Sequence, residues 1–205
     1  AVSQVGSGEA SIVYKINING TLNLLEGCVA LEKMPKFVFI SSSQVYGIVP
    51  DDMQPIDEKA TLNPVNHYGA SKAAGEMLVR AFACEYGLEY IIFRPFNHTG
   101  PGQSDYFVVP KIIKAFKEGA QSIKLGNIYA ERDFLDVRDV VRAYTLVVDR
   151  FIHGAVFNIA SGKTVCIYDV VQKLIEITGR QIQIETTDEY LRHNDIVKAI
   201  GCANT

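Results

Sequence analysis

The chain has 205 residues, 48% of them hydrophobic, and its 20 basic and 23 acidic residues give a formal net charge of −3. This length and composition suffice for one large or two small globular units, and the balanced charge argues against binding to nucleic acid or to a membrane surface. No apolar run reaches the roughly 20 residues of a membrane span, and the N-terminus lacks a signal-peptide profile, so we expect a cytoplasmic protein with a small-molecule partner.

Short apolar runs alternate with helical patterns along the chain. The predicted strands are residues 36–41, 89–94, 134–137 and 156–160. The predicted helices are residues 11–31, 65–86, 108–118, 139–150 and 167–179. The run Phe37-Val38-Phe39-Ile40 is apolar at consecutive positions, which is typical of a parallel strand covered by helices on both faces. The sequence therefore predicts an α/β fold.

Polar residues mark the starts of two of these helices. Asp139 precedes an apolar stripe, so we expect it to cap the helix over residues 139–150. Asn63 and Pro64 are predicted to supply a cap and a first-turn proline to the helix over residues 65–86.

The cysteines predict neither a metal site nor a disulfide framework. They are widely scattered and form no CxxC pair. We expect reduced thiols, mostly in core positions. The four are Cys28, Cys84, Cys166 and Cys202.

Composition becomes more polar over residues 97–126 and again after residue 161, which indicates a second, smaller unit. A complete doubly wound sheet also needs a first strand that ends in a glycine-rich turn. Gly6-Ser7-Gly8 follows no strand, and the proline of Gly100-Pro101-Gly102 suits a loop, so neither forms a G-x-G-x-x-G turn. We therefore expect that the first strands of the fold are absent from this sequence.

The segment Tyr68-Gly69-Ala70-Ser71-Lys72 carries the strongest chemical signal. Residues four apart share one face of a helix, so the Tyr68 phenol and the Lys72 ammonium can act together. A phenol has a pKa near 10 and exchanges protons poorly at neutral pH unless a nearby positive charge favours the phenolate. The alternative is a solvated Tyr/Lys pair on a surface helix, which a YxxxK match alone does not exclude.

A second polar element lies upstream, where the predicted strand 36–41 runs into Ser41-Ser42-Ser43-Gln44. Its hydroxyls lie at the carboxyl end of a parallel strand, where open α/β sheets bind ligands. One of them could hydrogen-bond a substrate oxygen and share its proton with Tyr68. By themselves the serines would equally suit a polar turn, but the Tyr/Lys pair one strand-and-helix step later favours a site.

The segments SSSQVYG, YGASK, FRPFNHTGPGQ and RDFLDVRDVVRAY, in this order, resemble the extended short-chain dehydrogenase/reductase family, which includes the NAD-dependent nucleotide-sugar epimerases, dehydratases and reductases. The resemblance runs over nearly the whole chain. Ala1-Val2-Ser3 resembles the end of the family's fourth strand, and Asn17-Ile18-Asn19-Gly20-Thr21 resembles its NxxGT-like helix motif.

This resemblance implies the C-terminal part of a doubly wound, Rossmann-type parallel sheet together with a smaller α/β substrate-binding domain. Residues 1–96, with 139–160 returning to them, would form the remainder of the NAD(P)-binding domain. Residues 97–138 and 161–205 would form the substrate-binding domain. It also implies NAD(P)H as the cofactor, a nucleotide sugar as the substrate and a homodimer.

The resemblance implies roles for individual residues. Tyr68 would be the proton donor and acceptor, Lys72 would lower its pKa and hold the nicotinamide ribose, and Ser42 matches the catalytic Ser/Thr. The implied cofactor-binding residues are Asn17, Ser41, Tyr68, Lys72, Arg94 and Pro95. The implied substrate-binding residues are Ser43, Gln44, Asn97, His98, Arg132 and Arg192.

Arg132 and Arg192 match the two arginines with which relatives clamp a sugar-nucleotide diphosphate, since guanidinium forks bind phosphate oxygens bidentately. Each could instead pair with a neighbouring carboxylate, Asp133 or Asp195. His98 could equally be a loop residue that hydrogen-bonds to the backbone.

Gln44 reduces the number of reactions that the family resemblance allows. Family members that dehydrate sugars resemble one another in having an acidic residue two positions after the catalytic Ser/Thr, and an amide cannot replace it as a base near neutral pH. Two reactions remain: net reduction of a 4-keto sugar by NAD(P)H and 4-epimerisation of a UDP-sugar. The FNHTGPGQ loop is most like members that reduce GDP-4-keto-6-deoxymannose, which we favour on resemblance alone. A catalytically silent nucleotide-sugar or dinucleotide-binding module is the other alternative.

Overall fold

The computed structural model describes residues 9–187 and 196–203. The described chain starts with one long helix in three parts: α1 (Ala10–Tyr14), a π-helical segment (Lys15–Asn19) and α2 (Gly20–Val29). The other α-helices are α3 (His67–Tyr86), α4 (Val108–Glu118), α5 (Val137–Asp149) and α6 (Ile167–Thr178). Two short 3-10 helices cover Ser43–Val45 and Asp51–Met53. The strands are β1 (Phe37–Ile40), β2 (Tyr90–Pro95), β3 (Asn97–Thr99), β4 (Ser122–Leu125), β5 (Glu131–Arg132), β6 (Phe134–Asp136), β7 (Val156–Ile159), β8 (Val165–Cys166), β9 (Gln183–Thr186) and β10 (Lys198–Ala199).

The main sheet has the order β1-β2-β7 and is parallel throughout. Every residue of the central strand β2 is buried, as expected for a strand covered on both faces. Side chains of α2 and α3, among them Leu25 and Val79, pack with Phe39 and Ile92 on one face. Tyr144 of α5 packs on the other face with a second group of strand residues. This helix-sheet-helix layering confirms the predicted α/β class.

A second group of short strands packs with α4 and α6. The pairs β3-β6 and β4-β9 are parallel, and a third sheet has the order β10-β5-β8. Ile112 and Phe116 of α4, Leu125 of β4 and Val171 of α6 share one apolar core. All of these strands have only two to four residues, which is too short for an alternating pattern. Of this group only β6 was predicted from the sequence.

The four predicted strands are confirmed to within one residue at each end, and the helix over residues 108–118 is confirmed as α4. Both cap predictions are wrong. Asn66, not Asn63, caps α3 by accepting a hydrogen bond of 2.8 Å from the Gly69 N–H, whereas the Asn63 N–H donates to the carbonyl of Val45.

Helix α5 starts two residues earlier than predicted, at Val137. Its cap is Asp136, which accepts from the Arg138 N–H at 2.8 Å. Strand β6 ends at this same residue and runs directly into the helix, so no linker separates the two elements. Asp139 therefore lies in the first turn, where it pairs with Arg142.

The cysteines are all free, but the expectation that most lie in the core is wrong, because three are half-buried and Cys84 is exposed. Within residues 9–187 and 196–203, no helix combines the length and the apolar character that crossing a membrane requires.

Candidate active site

The candidate site begins where β1 ends. Ser41 continues the ladder by donating its N–H to the Phe93 carbonyl at 2.7 Å. Ser42 keeps an extended backbone and caps the short helix Ser43–Val45, with its hydroxyl accepting from the Gln44 N–H at 3.2 Å. The chain therefore turns sharply after the strand and leaves the Ser42 side chain at its carboxyl end.

Helix α3 is fixed against this turn at its first residues. The Asn66 side chain caps the helix and also donates to the Gln44 side-chain oxygen at 2.9 Å. Gly69 lies so close to the turn that a Cβ there would overlap the Gln44 carbonyl oxygen. This close approach brings Tyr68 next to Ser42.

Tyr68 is half-buried, and its phenol is hydrogen-bonded to the Ser42 hydroxyl. Burial raises the pKa of the Tyr68 phenol, because the charged phenolate is poorly solvated there, and the Ser42 hydrogen bond lowers it by less. The predicted lowering of the Tyr68 pKa by Lys72 is not observed. The Lys72 ammonium lies 5.9 Å from the Tyr68 ring centroid and is engaged elsewhere.

Lys72 is only 6% exposed. Its ammonium donates to the Ile40 carbonyl at 2.8 Å and lies 5.4 Å from the Phe39 ring centroid. Desolvation lowers the pKa of Lys72 to about 8. An ammonium has three donors, and among the described residues Lys72 makes this one hydrogen bond, so it has donors left for a polyol such as a ribose.

Asn17 supports the same helix from behind. It is buried in the π-helical segment, and its side-chain amide donates to the Ser71 hydroxyl at 2.9 Å. Ser71 in turn donates to the Tyr68 carbonyl at 2.7 Å. π-Helical turns recur at functional sites, and this one connects Asn17 through the Ser71 hydroxyl to the carbonyl of Tyr68.

Two residues predicted to contact the cofactor are instead engaged in the interior. The Ser41 hydroxyl donates to Glu76 at 2.5 Å. Arg94 is 3% exposed, and its guanidinium makes a bidentate ion pair with Glu76 as well as bonds to Tyr46 and the Glu58 carbonyl. The polar groups of Ser41 and Arg94 are therefore hydrogen-bonded within the protein. Pro95, also predicted to contact the cofactor, is the last residue of β2 and lies at the candidate site.

The buried partners Glu76, Tyr46 and Asn158 were not identified from the sequence. Glu76 follows Lys72 by one helical turn, so the spacing Tyr68, Lys72, Glu76 was a readable signal. Tyr46 donates to the Asn158 side-chain oxygen at 2.7 Å. That contact joins residues 112 positions apart, and no local pattern indicates it.

The predicted substrate residues lie on two elements near the site. Asn97 and His98 belong to β3, which pairs with β6, and both are exposed. The His98 ring bonds to the Phe96 carbonyl at 3.0 Å, which is the backbone-bonded alternative. Ser43 is half-buried at the start of its short helix.

Arg132 lies on β5 and donates to the carbonyls of Glu131 and Val197 at 3.0 and 3.2 Å. The alternative pairing with Asp133 is not observed. Asp133 instead accepts from backbone N–H groups of Ser161, Gly162 and Gly201 and from the Ser161 hydroxyl. Arg192 lies outside the described residues.

No group of three or more His, Cys, Asp or Glu side chains in the described parts of the chain could hold a metal ion.

Comparisons with known proteins agree with this architecture. Residues 1–160 match a family model described as the NAD dependent epimerase/dehydratase family. The chain is 38% identical over 175 residues to GDP-6-deoxy-D-mannose reductase of Pseudomonas aeruginosa, and the match covers 83% of this chain and 58% of that enzyme. The chain thus spans somewhat more than half the length of this relative.

Two solved structures are similar in fold. The structure of RMD from Pseudomonas aeruginosa complexed with NADPH has a TM-score of 0.87 and 35% identity, covering 95% of this chain and 66% of that one. UDP-glucose 4-epimerase with UDP-glucose from Thermotoga maritima has a TM-score of 0.85 and 32% identity, covering 96% of this chain and 63% of that one.

Proposed function

The chain belongs to the NAD dependent epimerase/dehydratase family, and on that premise we propose that it forms the catalytic part of an enzyme that reduces a 4-keto-6-deoxy nucleotide sugar with NAD(P)H. The substrate we favour is GDP-4-keto-6-deoxymannose, which would be converted to a GDP-6-deoxy sugar. The observation that carries the proposal is the position of the Tyr68 phenol, which is hydrogen-bonded to Ser42 at the end of β1. Tyr68 lies on helix α3, which also carries Lys72.

The state of Tyr68 supports reduction. A ketone that accepts a hydride needs a proton at its developing alkoxide, and the Tyr68 phenol carries a proton that it can donate. Tyr68 would donate that proton, while the Ser42 hydroxyl would hydrogen-bond the same oxygen and stabilise its charge.

The residues fit a nicotinamide cofactor. Lys72 has donors left for ribose hydroxyls, and it lies at the carboxyl ends of parallel strands, where dinucleotides bind in such sheets. NAD(P)H, when bound, supplies the hydride. Lys72 would hold the ribose and Pro95 would border the nicotinamide. Asn17 would support the helix that carries Tyr68.

Gln44 supports reduction over dehydration. Its side-chain oxygen is bonded to the Asn66 amide, and an amide has no proton-accepting state near neutral pH. We therefore assign Gln44 to a positioning and substrate-contact role together with Ser43.

The substrate would extend from this site towards β3 and β5. Asn97 and His98 would contact the sugar, and Arg132 would bind the diphosphate together with Arg192. The similarity to a GDP-6-deoxy-D-mannose reductase supports GDP as the nucleotide. In domain terms, residues 1–96 and 139–160 would bind the cofactor, residues 97–138 and 161–205 would bind the sugar nucleotide, and the protein would act as a homodimer.

The second candidate is 4-epimerisation of a UDP-sugar, which the likeness to a UDP-glucose 4-epimerase favours. That reaction starts by oxidising the sugar, so Tyr68 would first have to act as a base.

An assay of the full-length protein tests the proposal. GDP-4-keto-6-deoxymannose is supplied with NADPH or NADH, and the decrease in cofactor absorbance is followed. We expect stoichiometric oxidation of the cofactor. Interconversion of UDP-sugars without net cofactor oxidation would assign the epimerase instead, and tight sugar-nucleotide binding without any product would assign a binding module.

A further inference from the structure

A carboxylate lies beneath the candidate site with no solvent exposure at all. Glu76 follows Tyr68 by two helical turns and Lys72 by one, so the three side chains share one face of α3. Its exposed fraction is 0%. Burying a charge is costly unless it is paired and hydrogen-bonded, so the partners of Glu76 define what it does.

Those partners come from two strands of the main sheet. Arg94 on β2 donates from Nε to Oε1 at 2.9 Å and from Nη2 to Oε2 at 2.6 Å. The Ser41 hydroxyl, one residue beyond β1, donates to Oε1 at 2.5 Å. Glu76 therefore fastens α3 to the carboxyl end of the sheet at two strands at once.

The cluster continues to the third strand. The second arm of Arg94 donates to the Tyr46 hydroxyl at 3.0 Å, and Tyr46 donates to Asn158 on β7 at 2.7 Å. No buried side-chain nitrogen or oxygen among the described residues lacks a partner. A fully satisfied buried network of this kind has one arrangement and resists sliding of its members.

Ser41, which bonds to Glu76, is the residue directly before the candidate catalytic residue Ser42. Ser42 bonds to Tyr68. The strand end thus meets α3 twice, once at Glu76 and once at Tyr68. A shift of the helix along its axis would change both contacts together.

We propose that Glu76 is a positioning residue that sets the Ser42–Tyr68 contact by holding Ser41 and helix α3 in register. It does not touch the substrate. A buried ion pair is often no more stabilising than apolar residues of the same size, so we assign this pair a role in geometry and not in stability. The inference rests on the proposed function only for its kinetic readout.

The test uses Ser41→Ala in the full-length enzyme, because this change removes the link and leaves the Glu76–Arg94 pair intact. We expect kcat to fall about tenfold with unchanged KM for NAD(P)H and for the sugar nucleotide, and Ser41→Thr to recover most of the rate. Glu176→Gln, which breaks an exposed ion pair with Lys173, is the matched control and should retain the parental rate.

A double-variant cycle shows whether Ser41 acts through Glu76. In a Glu76→Leu/Arg94→Met background, which removes the acceptor of the Ser41 hydroxyl and leaves no buried charge unpaired, Ser41→Ala should cause less than a twofold further loss of kcat. A full tenfold loss there would overturn the proposal, and so would a parental kcat in Ser41→Ala alone. A higher KM for NAD(P)H with unchanged kcat would mean that Ser41 contacts the cofactor directly, which also overturns it.

One readout does not depend on the reaction. Ultraviolet difference titration against Tyr68→Phe reports the ionisation of Tyr68, and Ser41→Ala should shift it to higher pH because the Ser42 hydrogen bond that favours the phenolate weakens. If the parental protein reduces no 4-keto sugar, the proposed function fails while this titration still decides the positioning role. An unchanged Tyr68 titration would reject the role of Glu76 whatever the enzyme's activity.

Discussion

The side-chain oxygen of Gln44 accepts a hydrogen bond of 2.9 Å from the side-chain amide of Asn66, the residue that caps helix α3. The turn after β1 and the start of α3 are thereby fixed to each other. Ser42 and Tyr68 lie on the two sides of this junction, so its geometry sets the candidate site.

Gly69→Ala tests the closeness of that junction. A Cβ at this residue would overlap the Gln44 carbonyl oxygen, and such overpacking costs about 1–3 kcal/mol. We expect lower stability in urea unfolding and a reduced kcat, because Tyr68 moves away from Ser42. Gly27→Ala in α2 is the control, since a Cβ there meets nothing within 4 Å, and it should be neutral or stabilise by up to about 1 kcal/mol. Equal effects of the two changes would contradict the prediction.

Tyr68→Phe should lower kcat by about 10²–10⁴-fold, the usual contribution of a positioned acid or base. The phenyl ring is retained, so equilibrium binding of the sugar nucleotide should change little. Rates are followed by NAD(P)H absorbance and binding by calorimetry. Tyr86→Phe, at an exposed residue of the same helix, should behave like the parental enzyme. A near-normal rate for Tyr68→Phe would refute the proton-transfer role.

Lys72 should make stability depend on pH. Burial lowers its pKa from 10.5 to about 8, so between these values the unfolded chain holds a proton that the folded chain does not. Stability therefore rises with pH in this window, and the full penalty is present below about pH 8. The free energy of unfolding should rise by about 2 kcal/mol between roughly pH 7.5 and roughly pH 9.5, because the cost of burying the charged ammonium falls.

Urea unfolding of the parental protein and Lys72→Met at these two pH values measures that slope. Comparing slopes cancels the separate cost of leaving the Ile40 carbonyl without its partner. Lys173→Met, at an exposed lysine, should keep the parental slope. If Lys72→Met also keeps it, the buried ammonium is not its source.

Asp133→Asn should be strongly destabilising. Both oxygens of the fully buried carboxylate accept hydrogen bonds, and one accepts from the N–H groups of Gly162 and Gly201 at 3.1 and 3.2 Å. An amide NH₂ in place of either oxygen would face other donors, and the buried N–H groups left unpaired would cost about 3 kcal/mol together. Denaturant unfolding measures the loss.

Asp139→Asn serves as the control for that change. Its carboxylate forms an exposed pair with Arg142, and such pairs contribute at most about 1 kcal/mol. A comparable loss in the two variants would mean that the network around Asp133 is not the cause.

The sequence predicted the layers of the main sheet because buried parallel strands such as β1 carry continuous apolar residues. It also predicted that Ser42, Tyr68 and Lys72 lie in one site, since strand ends and helical spacing can be recognised from local patterns. The Glu76–Arg94 pair was not predicted, because the two residues lie on different elements. Their burial depends on tertiary packing, which no local sequence pattern indicates. Both cap errors have the same origin: several polar residues precede each helix, and tertiary contacts decide which one caps it.

The direction of the Tyr68 pKa shift could not be predicted from the sequence either. Spacing indicated that Lys72 could lower its pKa, but the balance between burial and charge depends on where the ammonium goes. Here it goes to the Ile40 carbonyl, so burial is the larger effect.

The bonds of Asp133 have a consequence for how the chain matures. Its carboxylate receives hydrogen bonds from residues 161–162 and from residue 201, and β5, which carries Arg132, pairs with β10 at residues 198–199. During synthesis these later residues leave the ribosome well after β5, and domains form as their segments emerge. The main sheet can therefore assemble early, whereas Arg132 acquires its final surroundings only once residues 198–201 are available.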